Sequence, residues 1–158
     1  MILRAATPAD VPAIAAYWNP LIRTTTITFS SEEKSPADLA QMIATRPWFF
    51  VAEVDGRVVG HATCAQFRGG DGYLHSHEHT IIVDPAAKGT GVGRALMARL
   101  EAAARGAGVH VMVAGISGEN AAAVAFHTAL GYVETGRLPQ VGRKFGRWLD
   151  LVLMQKSL

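Results

Sequence analysis

The amino-acid sequence predicts a mixed α/β fold, in which one sheet carries helices on both faces. Three observations predict it. A hairpin signal, Asp55-Gly56, joins two apolar strand-like runs in the first half of the chain. A glycine-rich segment, Lys88 to Arg94, follows a strand and opens a helix. From there strand and helix alternate toward the C-terminus, an order that places helices against a sheet. The chain has 158 residues, which suits one compact domain spanning 1–158.

The elements follow in order. Ile2 to Ala5 reads as a short strand. Thr7-Pro8-Ala9-Asp10 is a helix start, with Thr7 as cap, Pro8 at the first helical position and Asp10 completing a capping box. The same grammar recurs at Ser35-Pro36-Ala37-Asp38, so a second helix begins there, and Thr24 to Ser31 is the loop between the two. Trp48 to Val54 and Arg57 to Phe67 are the two arms of the hairpin. Gly69-Gly70-Asp71-Gly72 breaks the chain, and Tyr73 to Val83 is the next strand, ended by Asp84-Pro85. Val92, Leu96, Met97, Leu100 and Ala104 recur at helical spacing after the glycines, and Gly106 and Gly108 stop that helix. Val109 to Ile116 is a strand and Asn120 to Leu130 a helix stopped by Gly131. Tyr132 to Gly136 and Trp148 to Met154 complete the sheet.

Composition narrows the function classes. Apolar residues make up 49% and charged residues 18%, an ordinary globular balance. The net charge of +2 is too small to argue for nucleic acid or a membrane surface as partner. No apolar run approaches membrane-spanning length, and the N-terminus lacks the pattern of a signal peptide, so a cytoplasmic location is expected. The single cysteine, Cys64, lies in an apolar strand and reads as a small core residue.

The glycine segment carries chemistry. Glycines keep side chains away from an approaching ligand, and the free N–H groups at a helix N-terminus attract an anion such as pyrophosphate. A P-loop is excluded, because no glycine here is followed by Lys and then Ser or Thr in that frame. A dinucleotide fingerprint begins at Gly89-Thr90-Gly91 but ends on Arg94 where glycine is required, and it sits mid-chain after a hairpin. Lys88-x-x-Gly91-x-Gly93 remains, beside the plainer reading that the glycines only make a tight turn.

That segment resembles the Q/R-x-x-G-x-G/A acetyl-CoA loop of the GNAT N-acetyltransferases, with Lys88 in place of Gln or Arg. Further segments carry the resemblance to one subgroup, the phosphinothricin and methionine sulfone (methionine sulfoximine) acetyltransferases. Glu78-His79-Thr80-Ile81-Ile82-Val83 resembles the strand before the loop. Asn120 with Ala125-Phe126-His127-Thr128-Ala129-Leu130-Gly131-Tyr132 resembles the following helix. Arg137 to Asp150, reading RLPQVGRKFGRWLD, resembles the C-terminal signature. The resemblance implies a GNAT fold, a central mixed, mostly antiparallel sheet flanked by helices. It implies acetyl-CoA as cosubstrate, with backbone groups at Ile81, Ile82 and Val83 on the pantetheine. Lys88, Gly89, Thr90, Gly91, Val92, Gly93 and Arg94 then lie on the pyrophosphate, and Asn120 near the pantetheine arm. It also implies a small-molecule amine as acceptor and a homodimer.

Acyl transfer to an amine needs a base, because an alkyl ammonium is mostly protonated at neutral pH. Glu78 matches the family's base; the plainer reading is a structural carboxylate. His127 matches the family histidine and can orient substrate or relay a proton; otherwise it is a packing residue of an apolar helix face. Tyr132 carries a proton suited to the departing thiolate, although relatives often have Phe, which favours aromatic packing equally. Charge developing on the acetyl oxygen calls for a donor, expected from a backbone N–H on the strand carrying Ile82. Arg68 is the expected partner for an acceptor carboxylate. Lys144 and Phe145 are expected to contribute from a C-terminal loop, across a dimer interface on the family pattern, or else to form a solvated turn.

Two departures lie beside the acceptor site. Relatives read Arg-Pro-Phe where this chain has Arg68-Gly69-Gly70, and T-V-E-H where it has Ser76-His77-Glu78-His79. His75, His77 and His79 share one predicted strand face, a spacing open to metal, but no cysteine or second acidic ligand clusters with them and the reaction needs no metal. The rival functions are a non-catalytic CoA-binding module and an acetyltransferase of peptide N-termini.

Overall fold

The computed structural model describes residues 1–158. It contains β1 (Ile2–Ala5), α1 (Val11–Thr24), α2 (Pro36–Thr45), β2 (Trp48–Val54), β3 (Arg57–Gln66), β4 (Ser76–Val83), α3 (Val92–Gly106), β5 (Val111–Ser117), α4 (Ala121–Ala129), β6 (Val133–Lys144) and β7 (Arg147–Ser157). All strands join one seven-stranded sheet in the order β1-β2-β3-β4-β5-β7-β6. Every neighbouring pair is antiparallel except β4 and β5, which run parallel. The mixed fold and its helices are as the sequence predicts.

Each face of the sheet buries its own core. Val11, Ile14, Trp18 and Ile22 of α1 and Leu39 of α2 pack on Phe49 and Val51 of β2. Val92, Leu96, Met97, Leu100 and Ala104 of α3 pack on the other face with Ala62, Cys64, Met112, Ala114, Val152 and Met154. The 3.6-residue spacing read from α3 is therefore the stripe that meets the sheet. Along β4, Ile81 and Val83 reach the α3 side and Ile82 the α1 side, as strand alternation requires.

The capping grammar holds in detail. The Asp38 carboxylate accepts from the Ser35 N–H at 3.0 Å and its Oγ at 2.7 Å, while Ser35 Oγ accepts from the Asp38 N–H. At the first helix, the Asp10 carboxylate accepts from the Thr7 N–H at 2.7 Å, but Pro8–Asp10 forms a single 3-10 turn and α1 begins only at Val11.

Two expectations need correction. The strand expected from Tyr73 begins at Ser76, because Asp71–Tyr73 makes a 3-10 turn. The C-terminal segment is no loop: β6 and β7 form one long hairpin closed at Phe145-Gly146, whose φ values of 51° and 72° suit a two-residue turn. The strand expected to end at Gly136 runs on to Lys144. Pro139-Gln140-Val141 bulges out where Leu138 pairs with Leu151 and Gly142 with Leu149, and the ladder resumes beyond it.

Candidate active site

The site begins where β4 and β5 part. Their parallel pairing covers only Ser76 with Val111, His77 with Met112 and Glu78 with Val113. Beyond Glu78, β5 continues on β7, while β4 stays paired to β3 as far as Val83. The side of β4 that faces β5 is thus left without a strand partner after Glu78. Alternate residues there point backbone N–H and C=O groups across the gap, where an extended, amide-bearing ligand finds partners.

Glu78 stands at the vertex of this fork. Its carboxyl lies over β5, where a Cβ on Gly115 would come within 2.7 Å of Oε1. No protein group donates a hydrogen bond to it. Desolvation against the sheet pushes the carboxyl pKa up from its ordinary range, and the nearby Arg46 partly offsets this. A carboxylate raised in this way is a better proton acceptor. Arg46 ends α2 and went unnoticed in the sequence, since nothing local marks it.

The sheet separates the three residues expected to do chemistry. Glu78 faces the α1 side; His79, the next residue, faces the other. His79 stacks on His127 with ring centroids 5.1 Å apart, and Tyr132 meets both rings edge-on. His127 is buried and its Nδ1 donates to the Ala123 carbonyl at 2.7 Å, while Nε2 has no partner. Burial lowers its pKa, so the ring is neutral. The Tyr132 hydroxyl is also buried and donates to Glu101 Oε1 at 3.0 Å; Lys156 reaches Glu101 Oε2 at 2.6 Å. Glu101, which the sequence reading did not single out, is the buried centre of that small network.

At the glycine segment, Gly89 and Gly91 have φ of 78° and 85° and open space where a side chain would stand. Gly91 takes the cap position of α3 in left-handed conformation, with no side chain bonded to the first-turn N–H groups. Lys88, Thr90 and Arg94 are exposed around it, and Val92 is buried in the core. These features fit a pyrophosphate. Gly93 has a different reason: a Cβ there would meet the Phe126 ring at 3.2 Å, so this glycine seats α3 against α4. Asn120 caps α4, its Oδ1 accepting from the Ala123 N–H at 3.1 Å.

The expected acceptor residues are spread out. Arg68 is exposed, with its guanidinium 5.9 Å from the Phe67 ring centre. Lys144 is buried and donates to the carbonyls of Ile22 at 2.6 Å and Thr28 at 2.8 Å. Phe145 is exposed at the hairpin turn. The three histidines also part company: His75 precedes β4 and bonds the Gly108 carbonyl, His77 lies 3.5 Å from Cys64 Sγ, and His79 is buried. No group of three or more His, Cys, Asp or Glu side chains is arranged to hold a metal ion. A cleft of about 720 Å³ lies between α1 and the β2–β3 turn and contains none of these residues.

A splayed parallel strand pair, a glycine-opened helix beside it and a desolvated carboxylate at the vertex define a protein that binds an extended phosphorylated acyl carrier and takes a proton near its end. Comparison with known proteins agrees. Residues 15–132 match the model of the Acetyltransferase (GNAT) family, and the chain belongs to that family. The L-methionine sulfoximine/L-methionine sulfone acetyltransferase of Salmonella typhimurium is 40% identical, the match covering 100% of this chain and 95% of that protein. A solved acetyltransferase from the same organism, with its cofactor acetyl-CoA, superposes with a TM-score of 0.95 at 39% identity, covering 100% of this chain and 94% of that one. The crystal structure of a ribosomal-protein-alanine N-acetyltransferase from Brucella melitensis superposes at 0.96 with 41% identity and complete coverage of both chains. The protein is thus an acetyl-CoA-dependent N-acetyltransferase.

Proposed function

We propose that the protein transfers an acetyl group from acetyl-CoA to the α-amine of a small amino-acid analogue of the methionine sulfone, methionine sulfoximine or phosphinothricin type. The observation that carries this reading is the unbonded, desolvated Glu78 carboxyl at the vertex of the β4–β5 fork. Acetyl-CoA supplies an activated thioester. The free edge of β4 at Ile81, Ile82 and Val83 receives its amide arm, the Asn120 amide borders that arm, and the N–H groups around Gly89–Arg94 receive its phosphates. Glu78 takes a proton from the acceptor ammonium, directly or through one water, leaving a neutral amine. A β4 N–H near Ile82 stabilises charge on the acetyl oxygen.

His127 acts from beneath the sheet as a positioning residue, packed on His79. The thiolate proton comes from solvent in this reading, because Tyr132 gives its own to Glu101. Arg68, together with Arg46, supplies positive charge for an acceptor carboxylate. Lys144 holds the wall of the acceptor side, and Phe145 extends it at the turn. Residues 1–158 act as one domain. The unpaired outer edge of β6, with Val133, Val141, Phe145 and Trp148 exposed along its hairpin, suits a homodimer. No helix is long and apolar enough to cross a membrane, and a cytoplasmic setting suits an enzyme that consumes acetyl-CoA.

A second reading has one observation in its favour, the structural neighbour named for ribosomal-protein alanine. A thiol-release assay with acetyl-CoA separates the two. The proposal expects turnover of methionine sulfone or sulfoximine and little of alanine-initiated peptides. Turnover confined to the peptides would replace it.

A further inference from the structure

The loop between α1 and α2 is tied down at three places, and only the Lys144 contact among them belongs to the acceptor side described above. At its far end, Asn19 and Lys34 exchange two bonds, Nδ2 to the Lys34 carbonyl at 3.0 Å and the Lys34 N–H to Oδ1 at 2.8 Å. In its middle, Lys144 holds the Thr28 carbonyl, and the Phe29 ring lies against Gly142, where even a methyl group would overlap it. At its near end, Thr26 Oγ1 donates to Glu119 Oε2 at 2.6 Å. Glu119 is also gripped by Arg147, whose Nη1 and Nη2 reach its two oxygens at 2.5 and 3.2 Å. The three side chains come from three distant segments: the loop, the end of β5 and the start of β7.

The place of this latch gives it meaning. Glu119 follows β5, the arm of the fork that leaves Glu78 behind. Gly115, which the Glu78 carboxyl overhangs, lies on β5, and Glu119 lies four positions further on, in the turn just after the strand ends at Ser117. The loop descends from α1 on the face that Glu78 looks toward. It therefore bounds that face at the open end of the fork, with Glu78 at the closed end.

We infer that Thr26, Glu119 and Arg147 form a latch that fixes the α1–α2 loop as the far wall of the acceptor site, and so set the size of acceptor that fits. These are positioning residues: none touches the reacting atoms. Both donors hold Glu119 ionised, lowering its pKa, Arg147 more than Thr26, so the latch stays closed at neutral pH. The inference rests on the acyl-transfer reading for its kinetic consequence but not for its structural one.

The test uses the full-length protein with Thr26→Val, Glu119→Ala and Glu119→Gln. The latch predicts an acceptor KM raised about fivefold or more in Glu119→Ala and Thr26→Val, with kcat and the acetyl-CoA KM within about twofold. Glu119→Gln keeps an acceptor for Thr26 and falls between. Hydrogen exchange without any substrate is predicted to speed up in residues 25–31 of Glu119→Ala while β5 and α4 stay protected. Unchanged exchange there overturns the latch whatever the turnover shows. An active wild type with an unchanged acceptor KM in Glu119→Ala overturns the acceptor-wall role. A wild type silent on amino-acid acceptors, with exchange accelerated as predicted, would count against the proposed acceptor and leave the latch standing.

Discussion

At the scale of the residue, Glu78 owes its character to two neighbours at once: a strand that desolvates it and an arginine that restrains it. Glu78→Gln is predicted to lower kcat by about 100- to 1,000-fold, with acetyl-CoA binding unchanged by calorimetry. Gly115→Ala is a sharper probe, because the one close clash of its added Cβ is with the flexible end of Glu78, the Leu151 methyl lying at an ordinary 3.6 Å. The fold should hold and the carboxyl should move, so kcat should fall with little change in melting temperature. Tyr132→Phe separates packing from acid catalysis. Loss of its bond to the buried Glu101 should cost about 1 kcal/mol in chemical denaturation, with kcat within a few-fold of wild type; a large loss of kcat would restore Tyr132 as the proton donor. Glu78 was legible in the sequence because an acid in an apolar strand stands out. Arg46 and Glu101 were not, since their meaning comes from partners 32 and 31 residues away, as numbered in Glu78 and Tyr132.

At the scale of the element, the capping boxes, the α3 stripe and the β2–β3 hairpin could all be read locally, because each is decided within a few residues. The β6–β7 hairpin could not. Its proline and glycine speak for a break, and only pairing with β7 carries the strand past the bulge. Gly142 in particular is glycine because of Phe29, a contact between residues 113 positions apart in the sequence. Gly142→Ala should therefore loosen the α1–α2 loop, measured as faster proteolysis within residues 25–34, while the β6–β7 ladder persists. The parting of β4 and β5 was likewise invisible to periodicity. Nothing in a strand's own sequence says where its neighbour leaves it.

For the whole molecule, two cores back one sheet, and histidines are buried on both sides. Burial drives His61 and His79 down to about 3, with the neighbouring His127 adding to the effect at His79. Unfolded histidines take up a proton near pH 6.5, so the stability these two contribute is complete above that pH and is lost as the pH falls toward 3. The melting temperature should decline across that window, and His61→Gln should make the decline shallower. The central claim concerns the fork, and the measurement that tests it most directly is the pH dependence of kcat for acetyl transfer to methionine sulfone, in wild type and Glu78→Gln. A base at Glu78 predicts a wild-type rate that rises with pH through a raised carboxyl pKa, and a variant in which that limb disappears along with most of the rate. A Glu78→Gln enzyme retaining both the rate and the limb would contradict it.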